Sequence, residues 1–275
     1  MENNVQENHS KWDGFIGMTK LIVSALFWRA SNGRSITRLP IGNIDFPLND
    51  LAKHCHTETF SGSLTKTETA KLLENCHREG VTVTSAISSA NLCLAATLVG
   101  HSRAKLGYAI AADTRRRCLP PVPNHDLSYQ VSGVLVFSVP TNEISTTSNG
   151  LWQLAKMFQN HLKTSIDAGQ ILIMGKLMGK FYEKSLKSID LAETPTGGFS
   201  NWGCLPFEEQ YGQWKLSALS VLSNLTRVPM PILIAHTVNG VLTIAFFGAV
   251  PFLSSSTLEK LRDGTMQNLR QMIAD

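Results

Sequence analysis

Near the start of the chain stands His9-Ser10-Lys11-Trp12-Asp13-Gly14, followed at once by an apolar, helix-like run from Phe15 to Trp28. An imidazole titrates near neutrality, so His9 is a candidate general base for an attacking hydroxyl, thiol or amine, an effect worth roughly 100- to 10,000-fold in rate. Gly14 allows a close backbone turn directly after Asp13. A histidine this near a chain terminus also fits a frayed, solvated residue, so the assignment needs support from the rest of the sequence.

Other reactive side chains carry weaker signals. His54-Cys55-His56 and Cys76-His77 hold metal-ligand residue types, but neither has C-x-x-C or H-x-x-x-H spacing, and a strand would turn Cys55 away from both histidines. No metal is expected. Five cysteines, odd in number and widely spaced, fit reduced thiols in a cytoplasmic compartment better than a disulfide framework. The net charge of +4 is small for 275 residues, and the basic residues are scattered apart from Arg115-Arg116-Arg117. That argues against a nucleic-acid partner and leaves an anionic cofactor open. His101, His125, His161 and His236 have no comparable context and receive no role.

No apolar run approaches the roughly 20 residues of a membrane span, and the polar, acidic first residues do not read as a signal peptide. Met174, Leu177, Met178 and Phe181 recur at helical spacing with Lys176, Lys180, Lys184 and Lys187 between them. The pattern fits an amphipathic helix on a core, with membrane-surface contact as the alternative.

These residues need elements to hold them. A helix is expected over 15–29, then a linker through 34–49 with Pro40 and Pro47, and a strand near 54–61. Thr65-Lys66-Thr67-Glu68 reads as a capping box opening a helix that stops at Gly80. The run 81–84 leads into an almost wholly apolar helix from Ser85 to about Val99. Strands follow at 106–113 and 131–139, joined by a stiff loop, Leu119-Pro120-Pro121-Val122-Pro123. Two helices, near 151–168 and 171–186, precede a β-rich end at 198–201, 214–222, 231–238 and 241–247, with Asn239-Gly240 as a type I′ hairpin turn. A last helix covers roughly 256–273. At 43% apolar residues the chain can bury a sizeable core.

Several runs in this order carry a resemblance: His9 to Gly14; Cys76-His77-Arg78-Glu79-Gly80-Val81-Thr82-Val83; Asp113-Thr114-Arg115 with Leu119-Pro120-Pro121; Trp152-Gln153-Leu154-Ala155; and Ser200-Asn201-Trp202-Gly203. The chain resembles the coenzyme-A-dependent acyltransferase superfamily, which includes chloramphenicol acetyltransferase, the plant BAHD acyltransferases and peptide-synthetase condensation domains. Within it the chain is most similar to the polyketide-associated and alcohol acyltransferases. Asn8 stands where the usual motif has a first histidine. The family also places a further stretch, on the order of 100 residues or more, ahead of the motif, whereas eight residues precede His9 here.

The resemblance implies an α/β fold, a chloramphenicol-acetyltransferase-like mixed sheet with flanking helices. Residues 1–50 would be the remnant of a first lobe and 51–275 the C-terminal acyltransferase-like domain. It implies transfer of an acyl group from a coenzyme A or carrier-protein thioester, bound as substrate with no resident cofactor, to an alcohol or amine. His9 would be the base, with Asp13 paired to an arginine to hold the histidine loop. Gly14, Asn201, Trp202 and Gly203 would shape the motif loops. Asp113 and Arg115 are substrate or channel candidates, Arg115 equally a structural ion-pair partner or a solvated residue. The alternatives are an auxiliary half-protein that forms a homodimer or pairs with a complementing chain, and a small-ligand binding module.

Overall fold

The computed structural model describes Thr19 and residues 36–100, 104–118, 120–126, 128, 130–167, 171 and 194–274, the side chains of 132–136 excepted. The expected helices over 15–29 and 171–186 lie outside these residues, apart from Thr19 and Ile171, both helical.

Local signals close the first elements. A short helix, α1 (Leu51–His54), leads into strand β1 (His56–Ser63), and Thr65 then caps α2 (Lys66–Glu79). Thr65 Oγ1 accepts from the Glu68 N–H at 3.1 Å while Glu68 accepts from the Thr65 N–H at 2.8 Å, the reciprocal pair the sequence predicts. Gly80 ends the helix in the left-handed region at φ 68°, a conformation that costs glycine nothing. Helix α3 (Val83–Val99) begins two residues earlier than its β-branched entry suggests. Thr82 acts as its N-cap, with Oγ1 accepting from the Ser85 N–H at 3.3 Å.

The remaining elements are β2 (Lys105–Asp113), β3 (Val131–Pro140), α4 (Ser148–Asp167), β4 (Gly197–Cys204), β5 (Gln210–Tyr211), β6 (Trp214–Lys215), β7 (Ile232–Val238), β8 (Val241–Val250) and α5 (Ser255–Ala274). Among the described residues six strands form one mixed sheet in the order β1-β8-β7-β4-β2-β3. The β1/β8, β8/β7 and β2/β3 pairs are antiparallel, and β7/β4 and β4/β2 are parallel. Asn239 and Gly240, both at positive φ, make the tight β7–β8 turn that a type I′ hairpin requires.

Helices cover one face. The interior helix α3 packs against both α4 and α5, and its small residues Ala86, Ser88, Ser89 and Ala90 are fully buried. Two hydrogen bonds join it to α5: Asn91 donates to Thr265 Oγ1 at 3.0 Å, and Asn268 donates to the Ala90 carbonyl at 2.8 Å. Beneath them Phe246, Leu233, Ile244 and Leu242 fill the core.

Two expectations need correction. The strand expected over 214–222 is two residues long, Trp214–Lys215, and among the described residues it pairs with β5 alone. Beyond it the chain crosses the other face of the sheet and packs Val221 and Leu225 on Ile234, Ala245 and Phe247. Its backbone is tied down by side chains instead, Asn239 donating to the Leu216 carbonyl at 2.9 Å. The stretch read as a linker is stitched to the sheet: the Thr37 N–H donates to Lys105 O at 2.8 Å, the Gly42 N–H donates to Phe252 O at 2.7 Å, and Leu39 is buried. Among the described residues no single helix is long and apolar enough to cross a membrane.

Candidate functional site

Strands β2, β4 and β7 run parallel, so their C-terminal ends lie on one edge of the sheet, the place where open α/β sheets hold ligands. The N-terminus of α3 arrives at the same edge. The contact between them is the irregular last stretch of β4, where Asn201 Nδ2 donates to Thr84 Oγ1 at 3.0 Å and Asn201 Oδ1 accepts from the Gly203 N–H at 2.9 Å. Gly203 takes φ 72° within that stretch. One amide thus shapes its own loop and anchors it to α3.

Two cavities flank this hydrogen bond. The first, about 340 Å³, has an apolar wall of Ile110, Ala111, Ala112, Leu162 and Ile166 between the end of β2 and the last turns of α4. Thr82, Thr84 and Gln159 supply its polar side. Arg117, Lys163 and Asp167 also line it, with Arg117 3.7 Å from Asp167. The second, about 370 Å³, lies between α2 and the strand ends, with Ala70, Leu72, Leu73, Val83 and Leu242 in its wall. Asn201, Gly203, Cys204 and Thr237 bound it on the sheet side.

The candidate residues divide accordingly. Asn201 and Gly203 line the second cavity, whereas Trp202 is half-exposed on the opposite side of β4, with its ring centroid 6.5 Å from that of His236. Asp113 and Arg115 pair with each other: the carboxylate accepts from the Arg115 N–H at 3.0 Å and from its guanidinium at 3.2 Å. Arg115 also donates to the Asp126 carbonyl at 3.4 Å. Both ties hold the loop after β2 in shape, and neither residue lines a cavity described above. The member of the arginine run that does is Arg117. His9, Asp13 and Gly14 lie outside the described residues.

Other groups around the site are structural. Lys156 on α4 bonds Glu79 on α2 at 2.8 Å and holds that carboxyl below the ordinary range. Burial pushes the Cys76 thiol up to about 12, which makes it inert. Burial lowers the pKa of His236, whose Nε2 lies 3.2 Å from the Leu219 carbonyl. Among the described residues no cluster of three or more His, Cys, Asp or Glu could hold a metal ion.

Thr82, Thr84, Gln159, Arg117 and Lys163 were not visible as site residues in the sequence. Thr82-x-x-Ser85 does carry a helix-capping signature, but no local pattern marks Gln159 or Lys163.

Comparison with known proteins points the same way. The family described as phthiocerol/phthiodiolone dimycocerosyl transferase C-terminus matches residues 57–209. Trichothecene 15-O-acetyltransferase from Fusarium sporotrichioides superposes over 90% of this chain and 51% of its own, with a TM-score of 0.70 and 11% identity. The epimerization domain from the third module of tyrocidine synthetase B superposes over 93% of this chain and 56% of its own, with a TM-score of 0.64 and 16% identity. Polyketide synthase associated protein 5 from Mycobacterium tuberculosis does so over 78% and 51%, with a TM-score of 0.58 and 15% identity. The chain therefore spans about half the length of these structures, and the fold is that of the condensation-domain and acyltransferase group. No curated protein matches it by sequence.

Proposed function

Because the chain belongs to the family of phthiocerol/phthiodiolone dimycocerosyl transferase C-terminal domains, we propose that it works as an acyltransferase. The acyl group moves from a coenzyme A or carrier-protein thioester to an alcohol or amine. The observation that carries this reading is the pair of cavities flanking the Asn201–Thr84 hydrogen bond, one of them bordered by the cations Arg117 and Lys163 and by one carboxylate, Asp167. Two substrates that must meet need two approaches.

The first cavity suits the donor. Coenzyme A and phosphopantetheine carry phosphate, which Arg117 and Lys163 would attract, and a slim arm that apolar walls can shield from water. The more apolar second cavity suits the acceptor. In the reaction the acceptor oxygen or nitrogen attacks the thioester carbonyl and loses its proton to His9. The C–S bond breaks as a C–O or C–N bond forms, and the thiolate leaves with the proton that His9 returns. Asp13 would hold the histidine loop.

Purified chain, supplied with acyl-coenzyme A and a panel of alcohols and amines, is expected to release free thiol only with an acceptor present. His9→Ala is expected to lose at least 100-fold of that rate. Acceptor-dependent release that survives His9→Ala would refute the assignment of the base, and no release with any donor would refute the activity.

A second reading, an auxiliary chain that pairs with another polypeptide, draws on a different observation. Trp214 and Leu222 are 73% and 84% exposed, apolar surface of the kind that a partner covers. Stable association with a second chain, without turnover by either the chain or the complex, would favour it.

A further inference from the structure

Gln159 sits on α4 in the wall of the first cavity, against the first turn of α3. Its Oε1 receives three hydrogen bonds: from the Thr82 N–H at 3.1 Å, Thr82 Oγ1 at 2.8 Å and Ser85 Oγ at 2.8 Å. The first of these donors decides the orientation of the amide. A backbone N–H can only donate, so the atom facing it must be the oxygen, and a flipped carboxamide would set donor against donor. With its oxygen committed to α3, what Gln159 has left to offer is the pair of N–H donors on Nε2. No group among the described residues accepts from them.

Lys163 lies four residues further along α4, on the same face and at the exposed end of the same cavity. A four-residue offset along a helix is about 6 Å. In an extended phosphopantetheine chain that is also about the reach from the phosphate to the first amide carbonyl, at some five bonds of the spacing set by ordinary covalent geometry. A ligand whose phosphate is held between Lys163 and Arg117 would therefore bring an amide oxygen level with Gln159 as it passes inward.

We propose that Gln159 is a binding and positioning residue for the donor, its Nε2 donating to the amide carbonyl of the pantetheine arm. The inference rests on the donor assignment of the first cavity. Thr82 and Ser85 then have a second role besides capping α3. They lock the carboxamide so that its donors are aimed before the ligand arrives, which spares the ordering cost that a free side chain would carry.

The test uses the full chain and two probes, uncharged pantetheine and coenzyme A. Gln159→Glu keeps an oxygen for Thr82 and Ser85 while replacing the two donors with a second acceptor, so the thermal midpoint should stay at the wild-type value. Its dissociation constant for pantetheine should rise at least tenfold, and in turnover the loss should appear in the donor KM rather than in kcat. Gln159→Leu, which also abandons the α3 contacts, should show the same binding loss together with a lower thermal midpoint. Unchanged pantetheine affinity in Gln159→Glu would overturn the role of Gln159 while leaving the donor cavity standing. Failure of the wild-type chain to bind either probe would overturn the donor assignment and this inference with it.

Discussion

The antiparallel side of the sheet, β1-β8-β7, and the parallel side, β7-β4-β2, are built on opposite plans. On the antiparallel side a two-residue turn fixes register, and β8 is apolar along nearly its whole length, with Ile244, Phe246, Phe247 and Ala249 all essentially inaccessible. Strands buried on both faces read as continuous apolar runs, and this one does. On the parallel side β4 opens with Gly197 and Gly198 and ends in the turn Ser200–Gly203, which borders the second cavity, while the end of β2 borders the first. The difference separates scaffold from site. Where every position is filled there is no room for a ligand, and where the strand ends are polar and undercut by cavities the surrounding elements can grip one.

Breaking each side should give a different signature, and the largest effect belongs to the scaffold. Phe246→Ala empties a fully buried position in β8 and is expected to cost about 3–5 kcal/mol, read as a collapse of the urea midpoint. Donor binding should fail only in proportion to the unfolded fraction. On the parallel side the double variant Arg117→Ala/Lys163→Ala should raise the donor KM about tenfold, the order expected for lost charge-assisted bonds at a partly exposed site. Its urea midpoint should remain in place, and raising the salt concentration should narrow the gap from wild type.

Asn201→Ala falls between these two, since it removes both the bond to Thr84 and the turn-closing acceptor for Gly203. A loss of about 1–2 kcal/mol in chemical denaturation is expected. Asn201→Asp sharpens the comparison because it preserves the turn acceptor and forfeits the amide donor, so part of the stability should return.

The smallest effect is a pH dependence on the face of the sheet opposite the helices. Burial keeps His236 below the ordinary histidine range, with no charged neighbour contributing. As pH falls, the unfolded chain takes up this proton first. Stability from this site is therefore complete above about 6.5 and declines as the pH drops through the window beneath. His236→Phe should flatten that part of the decline between pH 7.5 and 5.5 in paired denaturation curves. A slope identical to wild type would show that His236 does not contribute.

What the sequence made legible was local. The Thr65–Glu68 box, the stop at Gly80 and the Asn239-Gly240 turn each satisfy their own backbone within a few residues, so their chemistry is written in consecutive letters. Two kinds of feature were not. Pairing β1 with β8 joins Ser63 to Thr243, a choice made by the whole chain. The run after Trp214 has strand-like residues, yet Val221 and Leu225 serve to cover a sheet face rather than to pair. At the site, Asn201 and Gly203 were marked by their motif, but Thr84, the partner that gives Asn201 its place, was not. In the arginine run the sequence singled out Arg115, which pairs with Asp113, whereas Arg117, two residues on, is the member that lines the first cavity. Gln159 was invisible, since nothing near it in sequence shows what its carboxamide bonds.

The most direct test of where the donor sits is photolabelling of the full chain with a coenzyme A analogue that carries a photoreactive group in its pantetheine arm, followed by peptide mapping. Crosslinks are expected on peptides containing Thr82–Thr84, Ile110–Arg117 and Gln159–Lys163, and excess coenzyme A should suppress them. Suppressible labelling confined to β5–β6 or to the β1–β8 edge would contradict the placement of the donor at the ends of the parallel strands.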